Sequence, residues 1–263
     1  MKILFIGDVF GDLGKKTVEK TVPKLKQELE IDLCIANGEN AAPKGVGISQ
    51  SAARDLFRAG VDVITLGNHT WKNYDIFSML DEDDRIIRPA NYPSENPGKG
   101  STIIGTEKGN VAVINIMGRI YMDYVECPFK AIDRELEKIK KQTKIIFVDF
   151  HGEATSEKCA IAYYLDGRAS CVVGTHTHVQ TADERILPEG TAFISDVGMT
   201  GPADGVIGVT KDIVIKRFKT QVPERFEAAK GRAQFSAVVC EIDDASGRAT
   251  NIERIYLLST SES

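Results

Sequence analysis

The chain has no C-x-x-C pair; its five cysteines, Cys34, Cys127, Cys159, Cys171 and Cys240, are scattered and odd in number. That pattern excludes a zinc ribbon and gives no sign of a disulfide framework, so a reducing, cytoplasmic setting is expected. Positive charge is also short, with 33 Lys and Arg against 38 Asp and Glu and a formal net charge of −5. An extended nucleic-acid surface is therefore not expected, although a local site can still hold an anion. Long apolar runs are missing too. Met1 to Ile6 stops at Gly7-Asp8, far short of a signal-peptide core or a membrane span. Histidine is scarce, four in 263 residues, and none of the four lies inside an apolar stripe.

What is present suits a folded α/β protein. With 42% hydrophobic residues the chain can bury a substantial core, which excludes disorder. Short apolar runs at 3–6, 31–36, 61–66, 144–150, 170–173, 191–195, 234–242 and 249–258 read as strands. Helical spacing covers 12–29, where Pro23 predicts a kink or break, and 49–59, with Ser49 as N-cap and Gly60 past the end. Two more helices are expected at 127–141 and at 156–165, the latter with a start like a capping box. Segments 101–106 and 111–117 flank a turn at 107–110 and predict a β-hairpin. The economical architecture is one domain over 1–263, two sheets sandwiched between helices.

Unusual residues gather where strands end, the place where open α/β sheets bind ligands. The ends read Gly7-Asp8, Asn37-Gly38-Glu39-Asn40, Gly67-Asn68-His69-Thr70, Asp149-Phe150-His151-Gly152-Glu153 and Gly174-Thr175-His176-Thr177-His178. Taken singly, most have a plainer reading. Asp8 can begin a helix, Asn40 and Asn68 are common turn residues, and His151 can be a hydrogen-bonded core histidine. His176 and His178 resist that reading, because two residues apart on extended backbone they project the same way. Imidazole, carboxylate and amide oxygen together suit borderline ions such as iron, manganese or zinc, and a carboxylate such as Glu39 can bridge two of them. Other glycine-rich stretches carry no such signal. Gln50 breaks a dinucleotide fingerprint after Gly45-Val46-Gly47, and Asp12 and Lys16 stand where a P-loop needs Gly and Ser/Thr. Gly198 to Gly205 reads equally as a phosphate-holding nest or a plain turn.

In this order the motifs resemble the calcineurin-like metallophosphoesterases, which implies a four-layer α/β/β/α sandwich of two mixed sheets with a two-metal site. Two departures from that superfamily are visible. Asp8-Val9-Phe10 lacks the histidine of the usual Asp-x-His, and Gly38-Glu39-Asn40 replaces Gly-Asp. Both match the YmdB-like branch, which is similar to nearly the whole chain, including Asp196-Val197-Gly198-Met199-Thr200-Gly201. The resemblance implies a 2′,3′-cyclic-nucleotide 2′-phosphodiesterase with two metal ions, iron (Fe2+/Fe3+) or Mn2+. It also implies Asp8, Glu39, Asn40 and His178 around one ion and Glu39, Asn68, His151 and His176 around the other, with Glu39 bridging and Asn40 replacing the histidine missing at Phe10.

His69 is the one histidine left over, and it is expected to act as general acid. It would protonate the departing 2′ oxygen while a metal-activated hydroxide attacks phosphorus, leaving a 3′-phosphate. A phosphomonoesterase or nuclease would use the same metals, and a metal-bound regulatory protein is the non-enzymatic alternative. The expected partner is a small cyclic nucleotide or another phosphodiester, with no membrane. The resemblance further suggests a homo-oligomer, for which segment 200–232 is a candidate contact surface or pocket wall.

Overall fold

The computed structural model describes residues 1–260. Its first part alternates strand and helix: β1 (Lys2–Ile6), β2 (Asp8–Val9), α1 (Gly11–Glu28), β3 (Leu33–Asn37), α2 (Gln50–Arg58), β4 (Val63–Thr65), α3 (Phe77–Glu82) and β5 (Ile86–Ile87). The hairpin β6 (Ser101–Thr106) and β7 (Gly109–Met117) follows, then α4 (Pro128–Ile139), β8 (Ile145–His151), α5 (Thr155–Tyr164) and β9 (Cys171–Thr175). The last part holds β10 (Arg185–Ile186), β11 (Ala192–Ile194), β12 (Met199–Pro202), α6 (Lys211–Thr220), β13 (Ala233–Ile242) and β14 (Ala249–Leu258).

These strands form two mixed sheets. The larger runs β2, β12, β13, β1, β3, β4, β5, with β14 paired to β13; the smaller runs β10, β11, β9, β8, β7, β6. Side chains alternate across each strand, and the alternation sorts them into three apolar layers. Ile3 and Phe5 of β1 meet Ile145 and Phe147 of β8 between the sheets, where Phe5 and Phe147 stack at 5.4 Å. Leu4 and Ile6 face Val18 and Val22 of α1 and Leu56 of α2, while Ile146 and Val148 face Ile132 of α4 and Ile161 of α5. Helix, sheet, sheet, helix is the resulting four-layer order, as the motifs implied.

Several local expectations need correction. α1 runs unbroken through Pro23, because burial of Val18 and Val22 on the sheet outweighs a proline cost of about 3 kcal/mol. α5 has no capping box: its N-cap is Ala154, and Glu157 instead accepts backbone N–H groups of Arg119 and Ile120 at 3.0 and 3.2 Å. The hairpin turn shortens to Glu107-Lys108, since Thr106 already pairs with Gly109. The glycine-rich stretch after Val197 is neither nest nor simple turn at its start. Met199–Pro202 is a strand, parallel to β2 and antiparallel to β13. The Ser49 cap forms as expected, accepting from the Ala52 N–H at 3.1 Å. Among the described residues no helix is long and apolar enough to cross a membrane.

Candidate metal centre

β1, β3, β4, β8 and β9 end in loops that meet at one edge of the sandwich. Glu39 and Asn40 follow β3, Asn68 and His69 follow β4, and His151 closes β8. His176 and His178 follow β9, and Asp8 opens β2. Every expected site residue is thus brought to the same edge.

One set surrounds His151 Nε2, with Asn68 Oδ1 at 2.9 Å, His176 Nδ1 at 3.1 Å and Glu39 Oε1 at 3.4 Å. A ring nitrogen carries at most one proton and cannot serve three acceptors, so these lone pairs converge as they would on a cation. The donor atoms of Glu39, His151 and His176 all lie within 4.8 Å of one another. A second set adjoins through Asn40, whose Nδ2 is 3.2 Å from both Glu39 Oε1 and His178 Nε2. His178 Nε2 is in turn 3.7 Å from Asp8 Oδ1, a buried oxygen with no hydrogen-bond partner among the described residues. Gly67 leaves the space open, since a Cβ there would lie 2.4 Å from His151 Nε2 and 2.5 Å from Glu39 Oε2.

The far nitrogen of each ring is also engaged. His178 Nδ1 is 3.0 Å from the Ile207 carbonyl, and His176 Nε2 is 3.1 Å from Glu153 Oε2. His151 Nδ1 is 2.9 Å from Thr175 Oγ1, whose own hydroxyl donates to Asp149 Oδ1 at 2.7 Å. With each far N–H donated outward, each near nitrogen turns a lone pair inward, as metal-ligating histidines do. His176 and His178 adopt φ of +102° and +66°, left-handed conformations that cost about 1–3 kcal/mol each. The backbone accepts that cost to aim His176 into the first set and His178 into the second.

The electrostatics describe a site short of positive charge. Burial raises the Asp8 carboxyl above its ordinary range, against the pull of His178 and His151. Burial also acts upward on Glu39, yet His151 and His69 beside it hold it well below the usual carboxylate value. Desolvation disfavours a charged His151, but Glu39, with Asp8 and Asp149 behind it, outweighs that and lifts the ring to about 9. Burial and the neighbouring His151 push His176 down to about 3. Without a cation between the carboxylates and the rings, a proton on His151 therefore takes that place.

His69 stands apart. Its side chain is 28% exposed, against 0% for His151, 21% for His176 and 9% for His178. Its backbone N–H donates to Glu39 Oε2 at 2.8 Å, and its Nδ1 lies 2.6 Å from Asn40 Oδ1, leaving Nε2 as the outward atom. The sequence reading missed the buried supports: Asp149, pushed up to about 6 by burial, together with Asn37, Thr65 and Thr175. Asp149 stands two residues before His151 on the same strand face, which is the one signal that could have found it.

Fold and site together define a metallophosphoesterase: two mixed sheets between helices, with nitrogen and oxygen donors converging at the strand ends. Comparison with known proteins narrows this, because residues 4–255 match the family described as YmdB-like protein. The chain belongs to that family and is a hydrolase of the metallophosphoesterase class. It is 50% identical to a Bacillus subtilis (strain 168) 2′,3′-cyclic-nucleotide 2′-phosphodiesterase, over 98% of this chain and 97% of the relative. The crystal structure of a Thermus thermophilus protein superposes with a TM-score of 0.93 at 42% identity, covering 100% of both chains. A Mycoplasma pneumoniae phosphatase structure gives 0.92 at 34% identity, covering 100% of this chain and 94% of that one.

Proposed function

We propose that this chain is a metal-dependent 2′,3′-cyclic-nucleotide 2′-phosphodiesterase that cleaves the 2′ P–O bond and leaves a 3′-nucleotide. The observation that carries the reading is the set of three histidines with far nitrogens engaged and near nitrogens turned toward Asp8, Glu39 and Asn68. Support also comes from the half-identical Bacillus subtilis relative of that name. In this reading Asp8, Glu39, Asn40 and His178 hold one ion, and Glu39, Asn68, His151 and His176 hold the other. The donor set of imidazole, carboxylate and amide suits iron or manganese. Two such ions would supply Lewis acidity toward phosphoryl oxygens and lower the pKa of a nucleophilic water.

The protein's own groups then divide the remaining work. A half-turn of the planar Asn40 amide exchanges Oδ1 and Nδ2, bringing the oxygen to the position 3.2 Å from Glu39 Oε1 and His178 Nε2. The amide N–H then faces His69 Nδ1 and donates to it in place of the 3.2 Å contact of Nδ1 with Glu39 Oε1, which leaves the His69 proton on Nε2, the nitrogen without a partner among the described residues. His69 gives that proton to the departing 2′ oxygen. Glu39, gripping the His69 backbone N–H, keeps the acid beside the centre. A homo-oligomer in the cytoplasm completes the reading; α6 exposes Ile215 and Phe218, within the segment 200–232 expected to make subunit contacts or a pocket wall.

The deciding experiment is hydrolysis of 2′,3′-cyclic AMP by the manganese- or iron-loaded protein, with the product identified by phosphorus NMR. 3′-AMP is expected. Formation of 2′-AMP would reverse the assignment of the leaving oxygen, and turnover of phosphomonoesters alone would make the chain a phosphomonoesterase.

A further inference from the structure

A buried ion pair lies behind the two histidines that follow β9. Lys158 of α5 and Asp196, which follows β11, are 2% and 1% exposed, with Nζ to Oδ2 at 2.7 Å. The same Asp196 Oδ2 accepts the Thr177 backbone N–H at 3.0 Å and the Thr177 hydroxyl at 2.7 Å. Its other oxygen accepts the Gly198 N–H at 2.8 Å. Thr177 is the residue between His176 and His178. The backbone of residue 196 holds the loop a second time: its carbonyl accepts the Thr181 N–H at 3.0 Å, and its N–H donates to Thr181 Oγ1 at 3.0 Å. The loop is therefore fastened at 177 and at 181.

Gly174 shows how tightly this assembly is built. A Cβ there would fall 1.8 Å from the Ser195 carbonyl oxygen and 2.9 Å from Lys158 Cδ. The glycine of Gly-x-His-x-His thus admits both the lysine stem and the segment after β11 that carries Ser195 and Asp196. A buried lysine and aspartate are retained only with excellent geometry and satisfied hydrogen bonds, and here the spare lone pairs of the carboxylate go to Thr177 and Gly198. Neither side chain hydrogen-bonds a donor of the cluster, although their charges act on it, Lys158 pulling His176 down and Asp196 pushing Asp8 up. Their shared target is the left-handed backbone at His176 and His178.

We propose that Lys158 and Asp196 are positioning residues which hold the His176-Thr177-His178 backbone in its strained conformation and so set the affinity of the centre for its metal ions. The inference rests on the reading above that His176 and His178 are ligands. Lys158 neutralises a carboxylate that would otherwise be buried alone, and the neutralised carboxylate draws Thr177 inward, which turns the flanking rings to the same side. Loss of the carboxylate charge lets Thr177 move outward and the rings relax toward ordinary φ.

Two variants of the full chain test it, Asp196→Asn and Thr177→Val. The second removes one hydroxyl and leaves the ion pair intact, so it remains informative if the first fails to fold. The measurements are Mn2+ titration of the metal-stripped protein by calorimetry, thermal unfolding without metal, and kcat and KM on 2′,3′-cyclic AMP. Asp196→Asn is expected to bind Mn2+ about 10- to 100-fold more weakly and Thr177→Val less so, with turnover returning as Mn2+ is raised and KM unchanged. Wild-type Mn2+ affinity in a folded Asp196→Asn, or in Thr177→Val when Asp196→Asn does not fold, overturns the proposal. His176→Ala and His178→Ala are the controls. If they leave Mn2+ stoichiometry intact, the ligand reading fails; if they lower it while the clamp variants bind normally, only the clamp fails.

Discussion

His69 Nε2 is the one ring nitrogen of the site with no hydrogen-bond partner among the described residues, and its removal separates metal binding from proton transfer. His69→Ala is expected to keep its metal and to lose about 10²–10⁴-fold in turnover of a 2′,3′-cyclic nucleotide. An aryl phosphodiester, whose leaving group departs without a proton, should lose far less, and equal losses on both substrates would remove the acid role. His151 gives a second expectation. Glu39 lifts it to about 9, so below that pH the metal-free ring carries a proton that an incoming ion must displace. The contribution of this group makes Mn2+ affinity rise about tenfold per pH unit from pH 7 toward 9 and level off above, measurable by titration across pH. The gathering of these residues at one edge was legible because histidine, carboxylate and amide at strand ends are rare in combination, while the proposed division of ligands between two ions came from the family resemblance. Asp149, Thr175, Lys158 and Asp196 were not, since threonine, lysine and aspartate are ordinary residues until folding sets them behind a ring or a loop.

The longer strands were read, as were three-residue β4 and β11, while the ten-residue helix α6 and several of the shortest elements were not. β8 and β13 declare themselves through long, mostly apolar runs, whereas β2, β5, β10 and β12 span two to four residues and exist only because partners present edges to them. Met199–Pro202, with a glycine and a proline, has no strand pattern of its own; Asp8 and Gln234 supply its pairing. α1 errs the other way, its proline outweighed by packing. Glu157 shows how an element's first turn can serve another segment: it leaves its own helix uncapped and grips the chain after β7. Glu157→Ala leaves those amides unsatisfied and is expected to cost about 1–3 kcal/mol in urea unfolding, with faster hydrogen exchange at Arg119 and Ile120. Unchanged exchange there would show that water replaces the carboxylate at no cost.

At the scale of the molecule, the donors come from both sheets: Asp8, Glu39, Asn40 and Asn68 from the larger, His151, His176 and His178 from the smaller. On the proposed ligand set, ions held between them would tie the sheets at one edge, and ligation of the native state alone stabilises by about 2.7 kcal/mol per site at a hundredfold excess over Kd. Mn2+ is therefore expected to raise the unfolding temperature of the stripped protein, and a chelator to lower it again; no shift would mean that the ions do not join the sheets. A net charge of −5 overall fits this design, for the positive charge that receives a phosphate is imported. The sheet order carries one more consequence, about time. β1 lies against β13 with Lys2 opposite Glu241, and β2 lies against β12 with Asp8 opposite Met199. Asp8 is thus made early and paired late: β2 joins the sheet through β12, so the backbone around Asp8 can close only after the chain has been made as far as Met199 and Thr200.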